Sequence, residues 1–199
     1  MIQFDFTSDY VLEDEVTLLR PLTMDDHHNL LPFAIHEPEL WQYSMVPVVG
    51  DDGLTNYLDR AVGGRSDGKQ YPFIVFDKRV DQYAGCTRYY DIQLVEQTLQ
   101  LGYTWYGKQF QRTGLNRHCK YLLLQFAFEQ MGMERVEFRA DHNNQRSIEA
   151  MKAIGCQEEG ILRKNGRCSD GTRRDSIVLS ILREEWFSKV RTGLQNKIY

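Results

Sequence analysis

No stretch of this 199-residue chain approaches the ~20 consecutive apolar residues that a membrane helix needs, so no membrane partner is expected. No block of lysine and arginine is present and the formal net charge is −4, so the electrostatic footprint of a nucleic-acid-binding surface is missing. Cysteine is sparse: Cys86, Cys119, Cys156 and Cys168 form no C-x-x-C pair. Scattered cysteines of this kind read as reduced and buried thiols, not as a disulfide frame or a metal site, and no metal is expected. The first ten residues show no basic region followed by an apolar core, so no signal peptide is expected and the chain reads as cytoplasmic. Repeats and low-complexity tracts are lacking. So are G-x-x-x-x-G-K-[ST] and G-x-G-x-x-G, the marks of a P-loop and a dinucleotide fold.

What is present is an ordinary globular composition, 42% apolar, in a length that suits one domain spanning 1–199. The chain is organised around the stretch from Thr98 to Arg139. It opens with strand alternation, Leu99, Leu101, Tyr103 and Trp105 on one face and Gln100, Gly102 and Thr104 on the other. A polar turn follows, Gly107 to Thr113. From Gly114 the period becomes helical, with Leu115, Cys119, Leu122, Leu123 and Phe126 on one face through to Gln130. Met131-Gly132 closes that helix, glycine supplying a left-handed cap. Val136, Phe138 and Ala140 then mark a second strand, which completes a right-handed βαβ unit.

The remaining elements are read in order. Val16, Leu18 and Arg20 mark a first strand, and Thr23 caps a helix expected to stop at Pro32. A short helical piece covers His36 to Trp41, and a longer helix runs from Asp51 until Gly63-Gly64. Tyr71 to Phe76 and Tyr83 to Tyr90 form an antiparallel pair. Asp141 to Asn144 cap a helix over Gln145 to Ile154, which Gly155 ends. Cys156 to Arg163 and Thr172 to Leu182 are strands joined across Lys164–Gly171, with Asp170-Gly171 as a turn signal. Arg183 to Trp186 makes a last helical turn and the tail from Thr192 frays. The fold class is α+β, with a mixed, mainly antiparallel sheet, one parallel strand pair and flanking helices.

Chemistry is concentrated where the βαβ strand hands over to its helix. The first N–H groups of a helix lack internal partners and, with the macrodipole, make an anion site. Gln111-Arg112-Thr113-Gly114-Leu115-Asn116 sits at that point, with Arg112 adding positive charge and Gly114 permitting close approach of a phosphate. An ordinary βα turn containing one glycine accounts for the same six residues.

Gln111-x-x-Gly114-x-Asn116 resembles the acyl-CoA pyrophosphate loop of the GNAT N-acetyltransferases, whose pattern is Arg/Gln-x-x-Gly-x-Gly/Ala. Asn116 departs from it, standing where the family usually has a small residue. A second segment, Asn144-Gln145-Arg146-Ser147-Ile148 followed by Met151-Lys152-Ala153-Ile154-Gly155-Cys156, resembles the Asn-x-x-Ser-Ile…Leu-Gly-Phe segment of the branch containing ribosomal-protein N-terminal acetyltransferases. The two occur in the family's order, and the similarity covers about residues 15 to 185.

The resemblance implies a sheet whose parallel pair splays to admit acyl-CoA. It also implies direct transfer of an acetyl group from acetyl-CoA to a primary amine, on a small molecule or at a protein N-terminus, through a ternary complex. Gln111, Arg112, Thr113, Gly114, Leu115 and Asn116 would then hold the pyrophosphate. A backbone N–H of Trp105 or Tyr106 would face the thioester oxygen, Asn144 would bond the CoA arm, and Ser147 would be the acid for the leaving thiolate. Asn144 and Ser147 are equally ordinary capping residues. The base stays open among Asp141, His142, His36, Glu37 and a water chain to solvent. Trp41, Tyr43, Tyr89 and Tyr90 are candidates for an acceptor wall, and core packing is their default. A catalytically silent CoA-binding module of the same fold is the alternative reading. Monomer and homodimer are both left open.

Overall fold

The computed structural model describes residues 3–46, 48–168 and 171–198. Its strands are β1 (Leu12–Glu13), β2 (Thr17–Pro21), β3 (Gln70–Asp77), β4 (Gln82–Gln93), β5 (Thr98–Tyr106), β6 (Arg135–Asp141), β7 (Gln157–Arg167) and β8 (Arg173–Leu182). Among the described residues they form one sheet in the order β1-β2-β3-β4-β5-β6-β8-β7. Each neighbouring pair is antiparallel except β5–β6, which is parallel. The larger helices are α1 (His27–His36), α2 (Gly50–Ser66), α3 (Leu115–Gln125) and α4 (Gln145–Ala153). α3 packs a core of Leu99, Leu101, Tyr106, Val136 and Phe138 on one face of the sheet. α1 and α2 cover the other face, around Leu30, Leu54, Leu58 and Ile74.

Several elements depart from the sequence reading for local reasons. α1 continues through Pro32 to His36. The N–H that proline lacks would have bonded His28, and both residues are exposed, so water can satisfy the freed carbonyl. α2 passes Gly63-Gly64 and ends at Ser66. Its last turn is anchored by Arg65, which donates to the carbonyls of Phe6 and Ser8, each at 2.8 Å. The buried phase of β2 is Thr17, Leu19 and Pro21, the set alternate to Val16, Leu18 and Arg20. β7 extends to Arg167 through a register shift between Leu162 and Gly166, which the Lys164 N–H fixes on Asp175 Oδ1 at 2.6 Å. Asp170, part of the expected turn, lies outside the described residues. The C-terminus is helical to Gln195 instead of frayed, because Trp186 and Leu194 are buried and Gln195 donates to the Tyr121 hydroxyl.

The departure that matters most is in β5. Arg88 pairs with Gly102 but Cys86 pairs with Trp105, so three steps on β5 oppose two on β4. This is a β-bulge, and Tyr103 absorbs it with a left-handed φ of 50°. The extra residue inverts the alternation. Leu99, Leu101 and Tyr106 face the α3 side, whereas Trp105 turns to the α1–α2 side. There its indole N–H donates to the Tyr57 hydroxyl at 3.2 Å and its ring lies 4.7 Å from that of Trp41. Trp105 therefore does not share a face with Leu99 and Leu101.

Candidate active site

β5 and β6 pair only at Thr98–Arg135, Leu99–Val136 and Gln100–Glu137. β5 runs on to Tyr106 and β6 to Asp141 without further pairing. The two strands splay, and a cleft of about 620 Å3 opens between them. Its walls come from β5, β6, the loop before α3, the start of α4 and the segment 40–45 beyond α1.

The loop before α3 is shaped by backbone turns to the left at Arg112 (φ 62°) and Gly114 (φ 89°). A Cβ placed on Gly114 would meet nothing within 4 Å, so this backbone faces open space at the N-terminus of α3. Gln111 bridges two elements: its Nε2 donates to the Tyr106 carbonyl at 2.8 Å and its Oε1 accepts from Arg146 Nη1 at 2.7 Å. Thr113 is exposed, its hydroxyl donating to the Phe110 carbonyl at 2.7 Å while Arg79 holds its carbonyl at 3.0 Å. Leu115 is fully buried in the core. Gln111, Arg112, Gly114 and Asn116 line the cleft and the side chains of Thr113 and Leu115 do not. The Leu115 N–H is weakly held by the Thr113 hydroxyl at 3.4 Å, and a helix N-terminus with a positive residue and an uncovered glycine fits a pyrophosphate.

Across the cleft, Asn144 caps α4, its Oδ1 accepting the Ser147 N–H at 3.1 Å. Asn144 and Ser147 both line the cleft. The capping role read from sequence is thus present, and it places the Ser147 side chain at the cleft wall. Just past the end of β5, the Gly107 N–H donates to the Ala84 carbonyl at 2.9 Å, toward β4. Alternation turns the Trp105 N–H the same way and leaves that of Tyr106 on the open side. The Tyr106 carbonyl, taken by Gln111, points there too.

Of the four base candidates only Asp141 lines the cleft. It is buried, and its Oδ1 accepts the Asn143 N–H at 2.9 Å. His142 and His36 are exposed, and the Glu37 carboxylate accepts the Lys108 N–H at 2.7 Å. Trp41, Tyr43 and Tyr90 line the cleft. Tyr89 is core, its hydroxyl donating to the Leu123 carbonyl at 2.6 Å. Cys86, Cys119 and Cys156 are buried free thiols, and burial pushes Cys119 up to about 11. Away from the cleft, ligand-type atoms of Asp14, Glu15 and His118 lie within 4.8 Å of one another. Asp14 is engaged structurally, accepting the Val16 and Thr17 N–H groups at 2.9 Å and contacting His118 Nδ1 at 2.7 Å.

Sequence reasoning missed Lys120, a cleft residue only 5% exposed. Its ammonium donates to Thr104 Oγ1 at 2.8 Å, and burial lowers it from 10.5 to about 8. The sequence signal is weak: a lysine one position beyond Cys119 and three before Leu123, beside the apolar stripe of the helix and not on it.

Residues 17–157 match the family model described as an acetyltransferase (GNAT) domain. YdaF of Bacillus subtilis (strain 168), named as a ribosomal N-acetyltransferase, is 29% identical over 102 residues, 51% of this chain and 55% of that protein. The chain thus matches little more than half the length of that relative. A protein from T. thermophilus solved as an acetyltransferase is 30% identical, with a TM-score of 0.87 over 100% of each chain. The ribosomal-protein-S5-alanine acetyltransferase of Vibrio fischeri shares the fold, with a TM-score of 0.72 at 20% identity over 89% of this chain and 99% of that one.

Proposed function

The chain belongs to the GNAT family of N-acetyltransferases, and we propose that it moves an acetyl group directly from acetyl-CoA to a primary amine within a ternary complex. The observation that carries this reading is the splay itself. A sheet that stops pairing after Gln100 and Glu137, while both strands continue, offers unpaired strand edges to an amide-bearing arm. The helix N-terminus at Gly114 waits at one end of the same opening.

The residues divide the work as follows. The Gly114–Asn116 N–H groups and Arg112 hold the pyrophosphate, with Gln111 and Arg146 bracing the loop. The Tyr106 N–H, on the open side of β5, takes the thioester oxygen as it becomes an oxyanion; a donor of this kind is worth ~10²–10³ in rate. Asn144 fixes the start of α4 and Ser147 presents its hydroxyl to the CoA sulfur as a hydrogen-bonding acid. The amine arrives past Trp41, Tyr43 and Tyr90, and Asp141 is the carboxylate available to take its proton. The acceptor is a small-molecule amine or a protein N-terminus. The ribosomal name borne by YdaF makes ribosomal proteins the first acceptors to try.

Calorimetric titration with acetyl-CoA, CoA, ATP and NAD, on the wild type and on Gly114→Trp, tests the dock. Micromolar binding of acetyl-CoA and CoA alone, removed in a folded Gly114→Trp protein, is the expected result. Absence of binding by either CoA species to folded wild type would overturn the reading.

A further inference from the structure

Lys120 takes no part in the chemistry assigned above, yet its position in the cleft is specific. It projects from α3 between the neighbours Asn116 and Leu123, and its Nζ reaches Thr104 Oγ1 at 2.8 Å and Thr87 Oγ1 at 3.4 Å. It also lies 6.0 Å from the centre of the Phe138 ring. Thr104 belongs to β5 and Phe138 to β6, each beyond the last paired residues, Gln100 and Glu137. The ammonium therefore lies at the lining of the cleft on the α3 side of the sheet, held by β4 and β5 and facing the Phe138 ring of β6, with Thr104 two residues along β5 from the outward-facing N–H of Tyr106. The groups around it are Cys119 on its own helix, Cys156 after α4, Thr87 on β4, Thr104 on β5 and Phe138 on β6. Among the described residues no carboxylate pairs with it. A buried cation without an anion is costly, and the cost falls if negative charge develops beside it during turnover.

Resting on the acetyl-CoA reading above, we propose that Lys120 is the proton donor to the departing CoA thiolate. The amine attacks the thioester carbon, and the tetrahedral intermediate collapses with cleavage of the C–S bond. The bonding pair goes to sulfur, one N–H proton of Lys120 passes to it, and CoA leaves as the thiol. Lys120 regains its proton from solvent, and the protons shed by the acceptor nitrogen leave through the base. The proton thus comes from Lys120 in place of Ser147, whose hydroxyl keeps only a hydrogen bond to the sulfur. A donor near 8 suits a thiol, whose ordinary value is ~8.5, far better than a serine hydroxyl does.

The test needs no acceptor. The thiol of bound CoA is titrated by the ultraviolet absorbance of its thiolate, as the difference from the desulfo-CoA complex, which subtracts the protein's own thiols and tyrosines. In the wild-type complex the thiol and Lys120 titrate as a pair, and thiolate is expected about one pH unit or more below free CoA. In Lys120→Met the thiol is expected at or above the value of free CoA, with CoA binding retained by calorimetry. Thiolate formation in the wild-type complex at the pH of free CoA would overturn the proposal. So would an unchanged, lowered value in Lys120→Met. Failure of CoA to bind the wild type would instead strike the acetyl-CoA reading, and this inference with it.

Discussion

Replacing Lys120 by methionine should make the protein more stable at neutral pH. Burial lowers the ammonium from 10.5 to about 8. At ~1.4 kcal/mol per pH unit, holding it charged in the fold at pH 7 costs about 3 kcal/mol. Methionine removes that cost and fills much the same volume. It also forfeits the hydrogen bond to Thr104, but Thr87 and Thr104 bond each other at 2.8 Å, so neither hydroxyl is orphaned. The net gain should be about 2 kcal/mol, or roughly 4–8 °C in Tm for a domain of this size. The sign of the pH dependence follows from linkage. With the folded value near 8 and the unfolded value near 10.5, the unfolded chain holds more protons between them, so wild-type stability rises with pH across that window. Lys120→Met lacks that contribution, and the gap between the proteins should close by about pH 10.5. Urea denaturation of both at pH 7 and at pH 10 measures it. A less stable Lys120→Met at pH 7, or a gap that does not change with pH, would refute the reasoning.

Two further outcomes are expected. Gly85 has φ 153°, and a Cβ there would fall on the carbonyl of Trp105 and crowd the Cα of Tyr106; Gly85→Ala should cost about 3 kcal/mol or more and disturb the bulge, seen by denaturation and by loss of CoA affinity. Burial alone would raise the Asp26 carboxyl, but hydrogen bonds from Arg20 and the Thr23 N–H hold it below its ordinary 3.8. The stability from that arrangement is present above 3.8 and lost as pH falls through the lower folded value. Asp26→Asn should therefore lose about 2 kcal/mol at pH 7 and show a shallower acid limb in denaturant midpoints measured from pH 7 to pH 3.

The βαβ unit, its glycine loop and the cap at Asn144 were legible because each rests on local rules: a change of period, a positive φ at glycine, an N-cap. The bulge was not. Its extra residue is Tyr103, a bulky side chain in a conformation usually left to glycine, and the local alternation of Leu99, Leu101, Tyr103 and Trp105 continues straight through it. Only pairing with β4 shows the slip. Lys120 escaped notice for another reason. A lysine beside an apolar stripe normally runs its stem along the surface and keeps its charge in water. Here the neighbouring strands part, and the charge ends in the gap. The end of pairing after Gln100 is likewise a property of two distant strands, and no single window of sequence holds it.

That parting of β5 and β6 has a consequence for aggregation. Strand edges are normally found at the rim of a sheet, where charge or a bulge discourages another chain from adding to them. Here two edges lie in the interior, beyond Gln100 and Glu137, and the charges on the molecule's outer surface cannot guard them. Whatever fills the gap acts as the missing strand. Saturating CoA should therefore delay aggregation on mild heating by more than its effect on Tm accounts for, with no change to the outer surface at all.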